Sequence, residues 1–328
     1  MAAGAAILAG RMIVREMRSF SMENKVVLIS GGSRGLGLLM AREFGRLGAK
    51  LILLSRDEDE LRRAEAELVG KGIEVSCRVC DVAHRSEVDA TVRWIMQLHG
   101  RIDVLVNNAG VIQVGPMDLM TIDDYEEAMD IHFWGALHLT LAVLPSMRAS
   151  GAGRIINVAS IGGKVSVPHL LPYCASKFAL VGLSEGLRSE LQQENIFVTT
   201  VCPGLMRTGS HINAYFKGKN EEEFAWFSIG NALPVSSIAG ERAAQQIVKA
   251  CRRGDAELII SPQAQLIAKA NGVFPGLTAD IMGLVNRFLP APGGIGTSRT
   301  RGRQSTSIWS PSMLTALSDR AAMRNNEI

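Results

Sequence analysis

From Lys25 onward the chain alternates short apolar runs with longer amphipathic stretches. The runs KVVLIS (25–30), KLILLS (50–55), IEVSCRV (73–79), IDVLVN (102–107), RIINVAS (154–160), IFVTTVC (196–202) and AELIIS (256–261) are rich in Val, Ile and Leu. They are apolar nearly throughout rather than alternating, the pattern of strands covered on both faces in a parallel sheet. Between them apolar residues recur at three and four, as in Leu61, Ala64 and Leu68, or Val88, Val92, Ile95 and Met96. That is the spacing of a helix with one buried face. Repeated strand–helix alternation requires right-handed crossovers, so the pattern predicts an α/β fold: a doubly wound parallel sheet of about seven strands with helices on both faces.

Three stretches stand outside this rhythm and divide the chain into an N-terminal extension (1–23), a main domain (24–262) and a C-terminal extension (263–328). Residues 204–235 follow a strand and cluster Phe216, Phe224, Trp226 and Phe227. An insertion after a strand's carboxyl end lies where such sheets bind ligands, which predicts a substrate-covering lid. Residues 263–328 begin helix-like, pass through LPAPGGIG and turn polar, the pattern of a partly flexible extension. At the other end, MAAGAAILAG precedes Arg11, Arg15 and Arg18. Its apolar stretch falls short of the ~20 residues that span a bilayer, and its charges follow rather than precede it, the reverse of a secretory signal. Residues 5–17 have the makings of an amphipathic segment touching a membrane surface; the other reading is a packed extension.

Composition narrows the class. At 328 residues, 47% apolar and 20% charged, the chain is a folded globular protein with one main core. The net charge of +3 gains from Arg299, Arg301, Arg303, Arg320 and Arg324, a solvated tail rather than a nucleic-acid surface. Five cysteines, an odd number and scattered, argue against a disulfide framework and for a reducing, cytoplasmic setting. Cys77 and Cys80 form a C-x-x-C inside a strand run with no second pair at metal spacing, so they read as ordinary strand cysteines. His138, His169 and His211 have no carboxylate or cysteine at ligand spacing, so no metal is expected.

The first strand runs into Ser30-Gly31-Gly32-Ser33-Arg34-Gly35-Leu36-Gly37 and then a helix. A strand, a glycine turn and a helix N-terminus bring backbone N–H groups against a pyrophosphate, and only glycine permits that approach. This is the phosphate-binding turn of a Rossmann-type sheet. The second strand ends Leu54-Ser55-Arg56, with no carboxylate to hold a ribose 2′-hydroxyl until Asp57. Arg34 and Arg56 are placed to meet a 2′-phosphate, so NADP(H) is preferred and NAD(H) is the alternative.

In LPYCASKFALVGLSEGLRSEL, Tyr173 and Lys177 lie four apart on one helical face. A cation beside the phenol, helped by an oxidised nicotinamide, is expected to bring its pKa down from ~10 toward working range. Ser160 ends the preceding strand, at the edge where ligands bind, and can polarise a substrate carbonyl. Asn107-Asn108-Ala109-Gly110 places small residues at the same edge.

With Gly31…Gly35-x-Gly37, Asp81-Val82, Asn107-Asn108-Ala109-Gly110, Ser160, Tyr173-x-x-x-Lys177 and Pro203-Gly204, the chain resembles the short-chain dehydrogenase/reductase family. The resemblance covers about residues 23–262 and is to single-domain members, bacterial ketoacyl-reductase-like proteins among them. It implies that Tyr173 is the general acid/base, that Ser160 bonds the reacting oxygen, and that Lys177 tunes Tyr173 and binds the nicotinamide ribose. It further implies that Ser33, Leu36 and Ser55 line the cofactor site, that Asp81 and Val82 flank the adenine, and that Asn108, Ala109 and Gly110 line the channel. Thr208, after Pro203-Gly204, would contact the nicotinamide amide or pyrophosphate. Where the family usually has an asparagine behind the lysine, this chain has His132, either a relay titrating near neutral pH or a packed residue. The family also implies a homo-oligomer through helices near 122–149 and 172–194.

These readings predict an NADP(H)-dependent oxidoreductase interconverting a ketone and a secondary alcohol. The aromatic lid and the N-terminal segment favour an apolar, lipid-like small-molecule substrate. The alternative is a catalytically silent nucleotide-binding regulator on the same fold, which has no need of Ser160, Tyr173 and Lys177 together.

Overall fold

A computed structural model describes residues 18–307, 310–313 and 315–328; the segment 5–17 and its expected membrane contact lie outside them. β1 (Val26–Ser30) runs into α1 (Gly35–Arg46), followed by β2 (Lys50–Ser55), α2 (Glu58–Gly70), β3 (Val75–Val79), α3 (Arg85–His99) and β4 (Val104–Asn107). A two-residue strand, β5 (Gln113–Val114), precedes α4 (Ile122–Met129), a π-helical turn (Asp130–Trp134) and α5 (Gly135–Ala149). Next come β6 (Gly153–Val158), α6 (Leu171–Leu191) and β7 (Ile196–Pro203). The chain then leaves the sheet for β8 (Leu205–Arg207), β9 (Tyr215–Phe216), α7 (Asn220–Ala232) and β10 (Ser237–Ala239). It returns through α8 (Gly240–Arg253) to β11 (Glu257–Ile260).

The central sheet has the order β11-β7-β6-β4-β1-β2-β3, and its pairings are parallel. The seven apolar runs became its seven strands. β1 lies inside the sheet beside the central strand β4; from it the chain steps outward to β3 and resumes on β1's other side at β4. This reversal opens a crevice at the strands' carboxyl ends. Val27 and Ile29 of β1 pack with Leu38, Phe44 and Ile247 on one face, and Val26 and Leu28 with Val88, Ile95 and Val143 on the other. Each face is a core, so a strand here cannot alternate polar and apolar residues. That is why the runs read as continuous.

One acid fixes the floor of the sheet. Asp103, 1% exposed, accepts from the backbone N–H of Val26 at 2.9 Å, pairs with Lys25 at 3.4 Å and is bonded by Arg101.

Above the carboxyl ends, β8 pairs with β10, and β5, β9 and β12 (Thr300–Arg301) form a small sheet. Under it lies a separate core of Val114, Leu170, Ala214, Phe216, Phe224 and Phe227. Phe216 and Phe224 meet edge to face at 5.3 Å, and both are fully buried. Phe216, Phe224, Trp226 and Phe227 therefore hold the lid together, because β9 pairs with β5 and turns Phe216 inward, while Tyr215 beside it lines the crevice.

After β11, α9 (Pro262–Val273) and α10 (Pro275–Asn286) form a hairpin that leaves Leu266, Val273, Phe274, Leu277, Leu284 and Phe288 at the surface. The chain then folds back: β12 pairs antiparallel with β9, and the last helix, α11 (Ala316–Arg324), packs on α7. Among the described residues no helix is long and apolar enough to cross a membrane. All five cysteines are free, and burial pushes the Cys77 thiol up to about 12, well away from a reactive thiolate.

Removing Asp103 strands the Val26 N–H and two cations. Asp103→Ala is expected to lower unfolding stability by about 2–4 kcal/mol in urea titrations; a loss under about 1 kcal/mol would show that the acid is dispensable.

Candidate active site

The site begins with the turn after β1. Gly31 and Gly35 have φ of +61° and +55°, a region that disfavours side chains. Gly37 does not face the crevice. It packs behind the turn, where a Cβ would collide with the Gly31 carbonyl oxygen. Its role is thus close helix–turn packing rather than ligand contact.

The turn is tied to the end of β4. Ser30 Oγ donates to the Val106 carbonyl (3.2 Å) and accepts from the N–H groups of Asn108 (3.0 Å) and Ala109 (3.1 Å). Asn108 Nδ2 donates back to the carbonyls of Ser30 and Gly31 at 3.2 and 3.0 Å. Asn108 is therefore a brace for the glycine turn as well as a wall of the channel.

Helix α1 starts at Arg34 without a side-chain cap, so its first N–H groups are open to an anion. The Gly35 N–H instead meets the Asn325 carbonyl at 2.8 Å, and the Glu327 carboxylate fills the space a Cβ on Gly35 would take. Arg34 bonds Glu327 at 2.6 Å and Glu60 at 3.2 Å; these carboxylates outweigh burial and raise its pKa above the ordinary value. Arg56 is largely exposed, 3.6 Å from Asp81. An anion already sits in the cradle as a protein carboxylate, so the donors present suit the phosphates of a dinucleotide.

The crevice is a cleft of about 480 Å³, lined by every expected site residue except Gly37. Ser160 Oγ, at the end of β6, accepts from the Gly162 N–H at 3.0 Å. Tyr173 and Lys177 stand on the first turns of α6, with the ammonium 5.7 Å from the phenol ring. Lys177 Nζ donates to the Val158 carbonyl at 2.8 Å.

The electrostatics differ from the expectation. Burial pushes the Tyr173 phenol up to about 12, against a smaller opposite pull from the Ser160 hydrogen bond. Burial pushes Lys177 down to about 7, against a smaller opposite pull from Cys202. Desolvation disfavours both charged forms and exceeds any help the lysine gives the phenolate. The protein by itself therefore holds Tyr173 as a proton donor.

His132 sits on the π-helical turn, a form of helix often found at functional sites. Its Nε2 accepts from the Val111 N–H at 3.1 Å, which leaves Nδ1–H to donate to Ser176 Oγ at 2.7 Å. Burial, then the Lys177 charge, holds its pKa well below the ordinary value. With both nitrogens engaged and its pKa lowered by burial, His132 has the geometry of the packed alternative, while it also lines the crevice.

Two features escaped the sequence reading. Asn107 Nδ2 donates to Asn157 Oδ1 (2.8 Å), Asn157 Nδ2 to Ser184 Oγ (3.0 Å), and Thr200 Oγ1 bonds the same Ser184 hydroxyl (2.7 Å). This buried network stitches β4, β6, β7 and α6 beneath the site; polar residues inside apolar strand runs were its only signal. Arg301 and Glu327 also line the cleft, brought there by the fold-back of the C-terminal extension, for which no local signal exists.

Residues 25–216 match the family model of the short chain dehydrogenases. The chain is 35% identical over 258 residues to the granaticin polyketide synthase putative ketoacyl reductase 1 of Streptomyces violaceoruber, covering 77% of this chain and 92% of that protein. Among solved structures, a metagenomic short-chain oxidoreductase in complex with NADP superposes with a TM-score of 0.61 at 30% identity, over 74% of this chain and 99% of that one. The actinorhodin polyketide ketoreductase, solved with NADPH, gives a TM-score of 0.65 at 28% identity, over 74% and 97%.

Lys177 carries a stability cost with a definite sign. The unfolded lysine keeps its proton to about 10.4, whereas the folded one loses it at about 7. Below pH 7 the burial penalty is complete, and between those values the unfolded state binds more protons, so stability rises with pH. Lys177→Met should therefore be more stable than the parent at pH 7, with the gap closing by about 1.4 kcal/mol per unit toward pH 9. A gap in unfolding free energy that does not change with pH would contradict the assignment.

Proposed function

The chain is an oxidoreductase of the short-chain dehydrogenase/reductase family, and on that premise we propose that it interconverts a ketone and a secondary alcohol with NADP(H). The observation that carries this reading is one cleft with Ser160, Tyr173 and Lys177 on its wall and the glycine cradle, Arg34 and Arg56 at its end. The nicotinamide, when bound, supplies or accepts the hydride.

The rest falls to the protein. The Ser160 hydroxyl holds the reacting oxygen, and the Tyr173 phenol, held protonated by its surroundings, gives its proton to the developing alkoxide. Lys177, anchored to the Val158 carbonyl, holds the cofactor ribose and adds positive charge beside the phenol. The missing carboxylate at Ser55, the two arginines, and the NADP and NADPH of the solved neighbours support the phosphorylated cofactor.

An apolar, lipid-like ketone suits the side chains around Tyr173. Val111, Ile112, Met206 and Ala214 line the cleft, and the hairpin of α9 and α10 leaves an apolar surface at the same edge of the sheet. Trp134, Leu141 and Phe178, exposed on and beside α5 and α6, support a homo-oligomer. The five free thiols support a reducing compartment.

The test is NADPH oxidation against a panel of ketones of increasing apolar length. Turnover is expected with kcat/KM rising along the series. Tyr173→Phe should lower it by about 10²–10⁴ while NADPH still binds. A rate that Tyr173→Phe leaves unchanged with every ketone overturns the enzymatic reading.

A further inference from the structure

Three consecutive residues near the C-terminus grip the cofactor turn and the lid at once. The Asn325 carbonyl accepts from the Gly35 N–H at 2.8 Å, while its side chain donates to the Thr208 carbonyl (3.0 Å) and accepts from Arg42 (3.0 Å). Asn326 Nδ2 donates to the carbonyls of Ser33 (2.8 Å) and Glu60 (2.9 Å), and its Oδ1 accepts from Arg63 (2.6 Å). Glu327, its side chain 3% exposed, pairs with Arg34 at 2.6 Å and accepts from Asn213 Nδ2 through both its carbonyl (2.7 Å) and its carboxylate (2.8 Å). Helix α11 holds this segment in place: it approaches so closely that a Cβ on Gly209 would collide with Ala322.

A carboxylate beside a helix N-terminus and a guanidinium occupies the position a phosphate needs. Two anions cannot share Arg34 and the Gly35 N–H without repulsion, and that N–H already has its acceptor. We propose that Asn325–Glu327 is a latch that fills the phosphate cradle and pins the lid residues Thr208 and Asn213, and that the dinucleotide must displace it to bind. The latch rests on the NADP(H) reading above. It makes opening of the cradle and release of the lid a single event, because Asn325 and Glu327 each hold both. A ligand that binds only the unlatched form has its apparent affinity reduced by the unlatched fraction.

The experiment compares full-length protein with Glu327→Ala and with a chain lacking residues 325–328, reading NADPH binding by fluorescence. Both variants should bind NADPH about tenfold more tightly or better. The observed association rate of the parent should level off with NADPH concentration, whereas that of the variants should rise linearly. Hydrogen exchange in the parent should increase at 208–213 and 316–327 on saturation with NADPH. Should the shortened chain fail to fold, Glu327→Gln, which keeps the side-chain length, decides by the same measurement. Unchanged or weaker affinity in the variants, or a 316–327 segment that stays protected at saturation, overturns the latch. If parent and variants bind neither NADPH nor NADH, the cofactor reading fails and the latch falls with it.

Discussion

The site depends on one close approach of backbone to backbone. Gly37, on the first turn of α1, stands so near the carbonyl of Gly31 that no side chain fits between them. That contact lets the helix begin directly over the carboxyl end of β1, so its unbonded N–H groups aim into the crevice where the strand order reverses. Ser30 and Asn108 lock the turn to β4 from the other side. A methyl group at Gly37 would push α1 away and open the cradle from behind. The rest of the site is built outward from this contact: Arg34 stands at the helix N-terminus, Arg56 follows the neighbouring strand, and Asn108 belongs to both the turn and the crevice wall.

The catalytic wall obeys a different constraint, the cost of burying polar groups. Tyr173 and Lys177 are both taken out of water and both resist charging, the phenol at about 12 and the ammonium at about 7. The structure accommodates this by giving each group a neutral partner. The Val158 carbonyl receives the lysine, and Ser160 stands beside the phenol. His132 follows the same rule, trading any chance of ionising for two hydrogen bonds that join Val111 to α6. Beneath them the Asn107, Asn157, Ser184 and Thr200 network ties α6 to β6 and β7, although Asn107 Oδ1 is buried without a partner. The contacts around Tyr173, Lys177 and His132 are hydrogen bonds, whereas the ion pairs stand at the cradle end with Arg34 and Arg56.

Much of this was legible in the sequence because it is local. Strand and helix periodicity gave the seven-stranded sheet, and strands of a parallel sheet all deliver their carboxyl ends to one edge, so residues at those ends had to meet. What was not legible is long-range or directional. Gly37 belongs to the turn in sequence but lies behind it in space. Phe216, Phe224 and Phe227 of the lid turned inward because β5, far away in sequence, pairs with β9. The pKa directions of Tyr173 and Lys177 follow from depth of burial, which spacing alone does not report. Glu327 reaches Arg34 across 293 residues, a contact no window of sequence can show.

We propose that the glycine cradle with Arg34 and Arg56 reads a phosphorylated dinucleotide. Equilibrium dissociation constants for NADPH and NADH, measured on the same protein by fluorescence titration, test it most directly. NADPH is expected to bind more tightly than NADH, with the difference lost when Arg34 and Arg56 are both replaced by alanine. Equal or tighter binding of NADH by the unaltered chain would contradict it.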